Sequence, residues 1–244
     1  MAMDKSSGEH DHIVSAYDQE LGALSSMILR MGGLAEAQLN QAIKAMAARD
    51  SALAEKVIAA DAKVDALEAE VDAQATRMLA LRQPMAVDLR AIIAALKLSA
   101  DLERIADYAK NVAKRSLALN QAPTLPAAHA VPRIGALTQR MINDVLDAYA
   151  RRDVALAIEV WHRDEDVDQL YNSLFRELLT YMMEDARTIT SGTHLLFIAK
   201  NLERIGDLTT NMAETIYFLI DGKPLQESRP KGDDTASYTG PEKD

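Results

Sequence analysis

The chain contains no cysteine. That excludes disulfides, zinc–thiolate sites and thiol catalysis, and it fits a reducing cytoplasm. Aromatic, turn-forming and β-branched stretches are also scarce: 244 residues hold one Trp, three Phe, ten Gly and seven Pro. With Ala and Leu abundant, the composition leans to helix. Positive charge is in deficit, 27 Lys and Arg against 37 Asp and Glu, for a net charge of −10. Such a balance argues against a grip on nucleic-acid phosphates and permits binding of cations or basic partner surfaces. No apolar run reaches the ~18 residues that a membrane-spanning helix requires. The opening MAMDKSSGEHDH lacks the apolar core of a signal peptide. Any tie to a membrane is therefore expected to run through a partner. A Gly-rich phosphate loop and a Ser–His–Asp arrangement are missing, and the repeated acid pairs do not carry the Glu-x-x-His of di-iron bundles, which leaves catalysis no foothold.

What is present is helical periodicity. A first helix is expected over about 13–48, with Tyr17, Leu21, Leu24, Ile28, Met31, Ala35, Ala42 and Met46 on one stripe. Gln38 interrupts that stripe, and Gly22, Gly32 and Gly33 weaken it. A second helix starts after Asp50, a candidate N-cap, and carries Leu53, Val57, Val64, Leu67, Val71 and Met78. Pro84 separates it from a third helix over about 85–119, whose buried face is Leu98, Leu102, Ile105, Ala109 and Val112. Three more helices are expected over about 134–150, 153–185 and 190–221, the last stopped by Gly222 and Pro224.

The second half repeats the first. At an offset of 103, RDSALAEKVIAADAKVD (49–65) falls on RDVALAIEVWHRDEDVD (152–168). At an offset of 100, DLERIADYAKN (101–111) falls on NLERIGDLTTN (201–211). The expected fold is all-α: two pseudo-symmetric three-helix bundles, six helices in total. The bundles span 12–119 and 134–222, joined by a Pro-rich linker over 120–133. The polar stretches 1–11 and 223–244 read as disordered tails.

Four acid pairs recur one helical turn apart: Asp61/Asp65, Glu103/Asp107, Asp164/Asp168 and Glu203/Asp207. Like charges at that spacing repel, so a helix gains nothing from them alone. With Leu98 taken as the core direction, Glu103, Asp107 and Asn111 lie at ~140°, ~180° and ~220° around the third helix. They form an oxygen-rich stripe expected to face away from the core. Asp61 and Asp65 fall on the rim of the second helix, at ~60° and ~100°. Carboxylates without thiols suit hard or borderline cations, Mg, Mn, Fe or Ca, with Zn admissible. The plain alternative is a solvated acidic face whose charge Arg104 and Arg204 partly offset.

At these residues the chain resembles the PhoU family of phosphate-signalling regulators. LERIADYAKNVAKR (102–115) and LERIGDLTTNMAE (202–214) are similar to its duplicated E/D-x-x-x-D signature, and QPMAVDLRAI (83–92) to the start of its third helix. The resemblance covers about residues 12–222. It implies a cytoplasmic adaptor at the inner face of the membrane. Such an adaptor links the ATPase of the phosphate-specific ABC transporter to a PhoR-type sensor histidine kinase, and keeps the phosphate-starvation response off when phosphate is ample. A homodimer is common in the family, as is a metal site, sometimes multinuclear, holding iron, zinc, magnesium or manganese. Carried over by position, the ligands are Asp61, Asp65, Glu103, Asp107, Asp164, Asp168, Glu203 and Asp207, with Asn111 and Asn211 as weaker ones. Tyr108 and Leu208 stand where the family often has His, which leaves an all-oxygen site. The alternative function is a metal-dependent cytosolic enzyme or a metal store on a helical scaffold.

Three arginines are candidates for partner contact: Arg90 near a helix start, and Arg104 and Arg204 inside the repeated motif. Trp161, ~120° from the stripe of its helix, is expected off the core, as a partner anchor or as packing between the bundles. His194 is expected on the core side of the last helix in a structural role. His162 has no counterpart in the first repeat and is not taken as a ligand.

Overall fold

The computed structural model describes residues 6–82 and 84–226, with side chains from Tyr17 onward. Residues 1–5 and 227–244, the outer parts of the two expected tails, lie outside the described residues. Every regular element described is helical: α1 Ser6–Ala48, α2 Ser51–Ala60, α3 Ala62–Arg82, α4 Ala86–Leu119, α5 Val131–Arg151, α6 Val154–His162, α7 Asp164–Glu184 and α8 Ile189–Asp221. These make six rods, because α2 with α3 and α6 with α7 are each one rod broken by a single residue, Asp61 or Arg163. The first helix begins at Ser6, ahead of the expected start near Ile13, and runs unbroken past its glycines.

The repeated Arg-Asp dipeptide makes the first corner of each unit. Arg49 and Arg152 take left-handed backbone angles, φ 55° and 52°, and end α1 and α5. The next amides fold back, Asp50 onto the Ala45 carbonyl and Asp153 onto that of Ala148, both at 2.9 Å. Asp50 and Asp153 then cap the following helix, accepting from the amides of Leu53 (2.9 Å) and Leu156 (3.0 Å). In the first unit Arg49 also straps the segment after α4, donating to Thr124 Oγ1, Asn120 O and Ala122 O at 2.6, 2.9 and 2.7 Å. The expected linker is thus held in place. It forms a short 3₁₀ turn over Pro126–Ala130, and Ala127 and Val131 are buried.

Within the first unit α1 packs on α2, α3 and α4; in the second α5 packs on α6, α7 and α8. The units meet through α1 against α5 and α4 against α8. One apolar core runs through both, from Leu24 and Ile28 to Met212 and Ile216. The α1–α5 crossing uses the repeat directly. A Cβ on Gly32 would lie 2.4 Å from Leu146 Cδ2, and one on Gly135 would lie 2.2 Å from Ile43 Cδ1. Gly32 and Gly135 are repeat equivalents, as are Ile43 and Leu146. Each helix therefore seats an apolar knob in the other's glycine notch. Helix α4 contacts α1, α2, α3 and α8, and this central position governs the acids it carries.

Candidate functional site

In the first unit the site forms where the rod breaks at Asp61. The chain turns tightly there, with Val64 N on the Asp61 carbonyl at 2.8 Å and Asp65 N on it at 3.3 Å. Asp61 is buried, 6% exposed. Gln38 of α1, the polar interruption of an apolar stripe, donates through Nε2 to Asp61 Oδ1 (3.1 Å) and to the Ala106 carbonyl (3.2 Å). From α4, the Lys110 ammonium reaches Asp61 Oδ2 and Asp107 Oδ1 together. Asn111 donates its amide Nδ2 to Asp107 Oδ2 at 3.4 Å, so it turns nitrogen to that acid. Burial, then the charges of Glu68, Asp107, Asp65 and Asp61, push the Glu103 carboxyl above its ordinary pKa. Glu68 is raised too, by burial and then by Asp72 and Asp65. Burial opposes the charge on Lys110, but the hydrogen bonds it donates to Asp107 and Asp61, together with their negative charges, outweigh burial and raise its pKa.

The second unit places its acids deeper. Asp164 and Asp168 of α7 are 1% and 4% exposed, and Glu203 of α8 is 4% exposed. Asp207 is half-buried. Gly206 lets α8 come close: a Cβ there would stand 3.1 Å from Asp164 Oδ1 and 3.4 Å from Val167 Cγ1. Lys200 Nζ lies 2.7 Å from Glu203 Oε1, while Glu203 Oε2 is buried without a hydrogen-bond partner. Burial pushes the Glu203 carboxyl up to about 7; Lys200 opposes the rise, and Asp207 and Asp168 add to it.

These positions correct the expectation of outward-facing acids. Asp65 alone of the eight is exposed; Asp61, Asp164, Asp168 and Glu203 are buried and Glu103, Asp107 and Asp207 half-buried. The angular argument gave α4 one buried face. In the fold α4 is flanked by α1, by the α2–α3 junction and by α8, so the direction opposite Leu98 is only partly open: the Asp107 side chain keeps 41% exposure. The acids line clefts between rods, α4 facing α2–α3 and α8 facing α6–α7.

The remaining candidates scatter. Asn211 lines a cavity of about 630 Å³ between α4 and α8 with Lys97, Asp101 and Glu214, on the side where the units meet. Arg90 lies over Gly222, its Cζ 3.4 Å from where a Cβ would be, beside the negative end of α8. Arg104 and Arg204 are exposed, with the Arg204 guanidinium 5.7 Å above the Tyr108 ring. Trp161 is not off the core: it is 2% exposed, and its Nε1 donates to Glu214 Oε1 at 2.9 Å, which ties α6 to α8 within one unit. His194 is half-buried, its Nδ1 3.4 Å from Arg115 Nη1, at the junction of the units. Glu68, Lys110 and Lys200 were missed from sequence, and Gln38 was noted only as the interruption of its stripe. Three carried a readable signal: Lys110 lies three residues after Asp107, Lys200 three before Glu203, and Glu68 three after Asp65.

Among the described residues no three His, Asp or Glu side chains converge at metal-ligating separation. The donor chemistry nevertheless fits a hard cation: carboxylates crowded enough to raise one another's pKa, and a buried Glu203 oxygen lacking a partner.

The family model described as the PhoU domain matches the chain twice, at 28–116 and 131–216, one match per unit. A phosphate-specific transport system accessory protein PhoU homolog of Caulobacter vibrioides is 53% identical over 224 residues, 91% of this chain and 97% of its own. The phosphate-specific transport system accessory protein PhoU of Escherichia coli is 40% identical over 215 residues, 88% of this chain and 89% of its own. The crystal structure of PhoU from Pseudomonas aeruginosa superposes with a TM-score of 0.83 at 41% identity, covering 85% of this chain and all (100%) of the other. That of the phosphate transport system regulatory protein PhoU from Streptococcus pneumoniae gives 0.80 at 30% identity, covering 86% of this chain and 100% of the other. Both repeat units match the family model, the fold is shared with solved PhoU structures, and the chain belongs to the PhoU family.

Proposed function

We propose that this protein is an accessory regulator of phosphate uptake that restrains the phosphate-starvation response while phosphate is ample. It acts in the cytoplasm, as a homodimer, between the ATPase of the phosphate-specific ABC transporter and a PhoR-type sensor histidine kinase. The observation that carries this reading is the similarity, over nine-tenths of the chain, to proteins named as phosphate transport accessory proteins. No described helix is long and apolar enough to cross a membrane, so contact with the transporter runs through protein surfaces. The exposed Arg104 and Arg204 are the candidates for those contacts. Arg90, laid against the end of α8, takes part by holding that end. Signal passes by differential affinity for two states of transporter or kinase. The role is accessory, not catalytic; the alternative of a metal-dependent enzyme or metal store draws no support from the names of the relatives.

We include in this reading a divalent cation in each cleft, Mg, Mn, Fe or Zn, held by Asp61, Asp65, Glu103 and Asp107 in one unit and by Asp164, Asp168, Glu203 and Asp207 in the other. Bound there, the ion supplies positive charge that neutralises the crowded carboxylates. Deleting the gene tests the main claim: phosphate-starvation genes should be expressed in phosphate-rich medium. Normal repression in the deletion strain refutes it. A pull-down from membrane extract should recover the transporter ATPase or the kinase.

A further inference from the structure

The acids of the first unit are not waiting for a counter-ion. Lys110 reaches the carboxylates of Asp61, from the α2–α3 junction, and of Asp107, from its own helix. One ammonium thus bridges the elements that a divalent ion in this cleft would bridge. The second unit has an ammonium at its acids as well, Lys200 on Glu203. The two lysines are not repeat equivalents. At the offset of 100 the counterpart of Lys110 is Thr210 and that of Lys200 is Ala100. Thr210 is buried, its hydroxyl donating to the Gly206 carbonyl. Each cleft is therefore supplied with a cation from a different helix position, as the crowding of its carboxylates demands.

We propose that Lys110 and Lys200 are resident cations that compete with divalent metal for the acid clefts, so that metal binds only as the ammonium is displaced. The inference rests on the reading of the clefts as cation sites. The Lys110 side chain retains 21% exposure, so it can swing into water when displaced at no burial cost. The flexible four-carbon stem of lysine suits such a role, and a guanidinium in the same place would hold its carboxylates more firmly.

The test is a Mn²⁺ titration of the full chain, stripped with chelator and followed by calorimetry, with circular dichroism to verify helicity. Lys110→Met and Lys200→Met should each tighten one Mn²⁺ site by about tenfold, and Lys110→Arg should not. A second measurement needs no variant. In the wild-type protein Mn²⁺ should increase acetylation of Lys110 by an amine-reactive reagent, read by mass spectrometry, and leave the exposed Lys63 unchanged. Equal Mn²⁺ affinity in wild type and both Met variants, with Lys110 labelling unmoved, overturns the competition and leaves the cation sites standing. Failure of every protein to bind Mn²⁺ overturns both.

Discussion

Replacing Glu203 by Gln removes one negative charge from the most buried cleft, and the structure sets the size of the effect. The Glu203 carboxyl rises from 4.5 to about 7, chiefly through burial. A carboxyl whose native pKa exceeds its unfolded value binds its proton more tightly when folded. Its contribution is therefore most favourable below the unfolded value of 4.5 and is lost as pH rises through about 7. The shift corresponds to roughly 3 kcal/mol of destabilisation once the pH is above both values. The ion pair with Lys200 opposes the rise and is already contained in that net shift. Glu203→Gln should thus be the more stable protein at pH 8 in the presence of chelator, by about 3 kcal/mol, or ~6–12 °C in Tm. At pH 5 the gain should shrink to about 1 kcal/mol or less, because native Glu203 is then protonated. Thermal unfolding of both proteins at the two pH values is the assay. Equal destabilisation by the variant at pH 5 and pH 8 refutes the reasoning, since it means the carboxylate is well satisfied by its surroundings. Adding Mn²⁺ should reverse the order by stabilising the wild type selectively.

Other outcomes follow from named contacts. Gly33→Ala, whose new Cβ meets nothing within 4 Å, should stabilise α1 by about 1 kcal/mol; Gly32→Ala, one residue away, should destabilise by about 1–3 kcal/mol because Leu146 occupies its notch. Chemical denaturation of the two variants decides this, and a gain in both contradicts the knob-in-notch packing. Arg152→Gly should stabilise by about 1 kcal/mol by relieving a left-handed non-glycine residue. Arg49→Gly, with nearly the same φ, should instead cost about 1–2 kcal/mol through the loss of its three bonds to the segment after α4. Matching signs for the two variants count against the strap. Glu103→Ala combined with Asp107→Ala should lower the bound metal measured by elemental analysis while helicity stays near wild type; equal metal content rejects those ligands.

The sequence by itself determined the helices and the repeat, and it singled out the paired acids. Periodic Leu, Ile, Val and Met placed the stripes on Leu98, Leu102, Ile105, Ala109 and Val112, all buried, because helical spacing is a local property of the chain. The Arg-Asp corner was half legible: Asp50 read as a cap and is one, whereas the left-handed Arg49 before it gave no signal. Tertiary structure alone decided which way the acids face. Periodicity gives angles around one helix relative to an assumed core. It is silent on how many neighbours surround that helix, and α4 has four. The break at Asp61, the reach of Gln38 from α1 and the burial of Trp161 depend on rods distant in sequence. Exposure is a property of the assembled packing, and so the outward stripe that the angles predicted became a pair of clefts between helices.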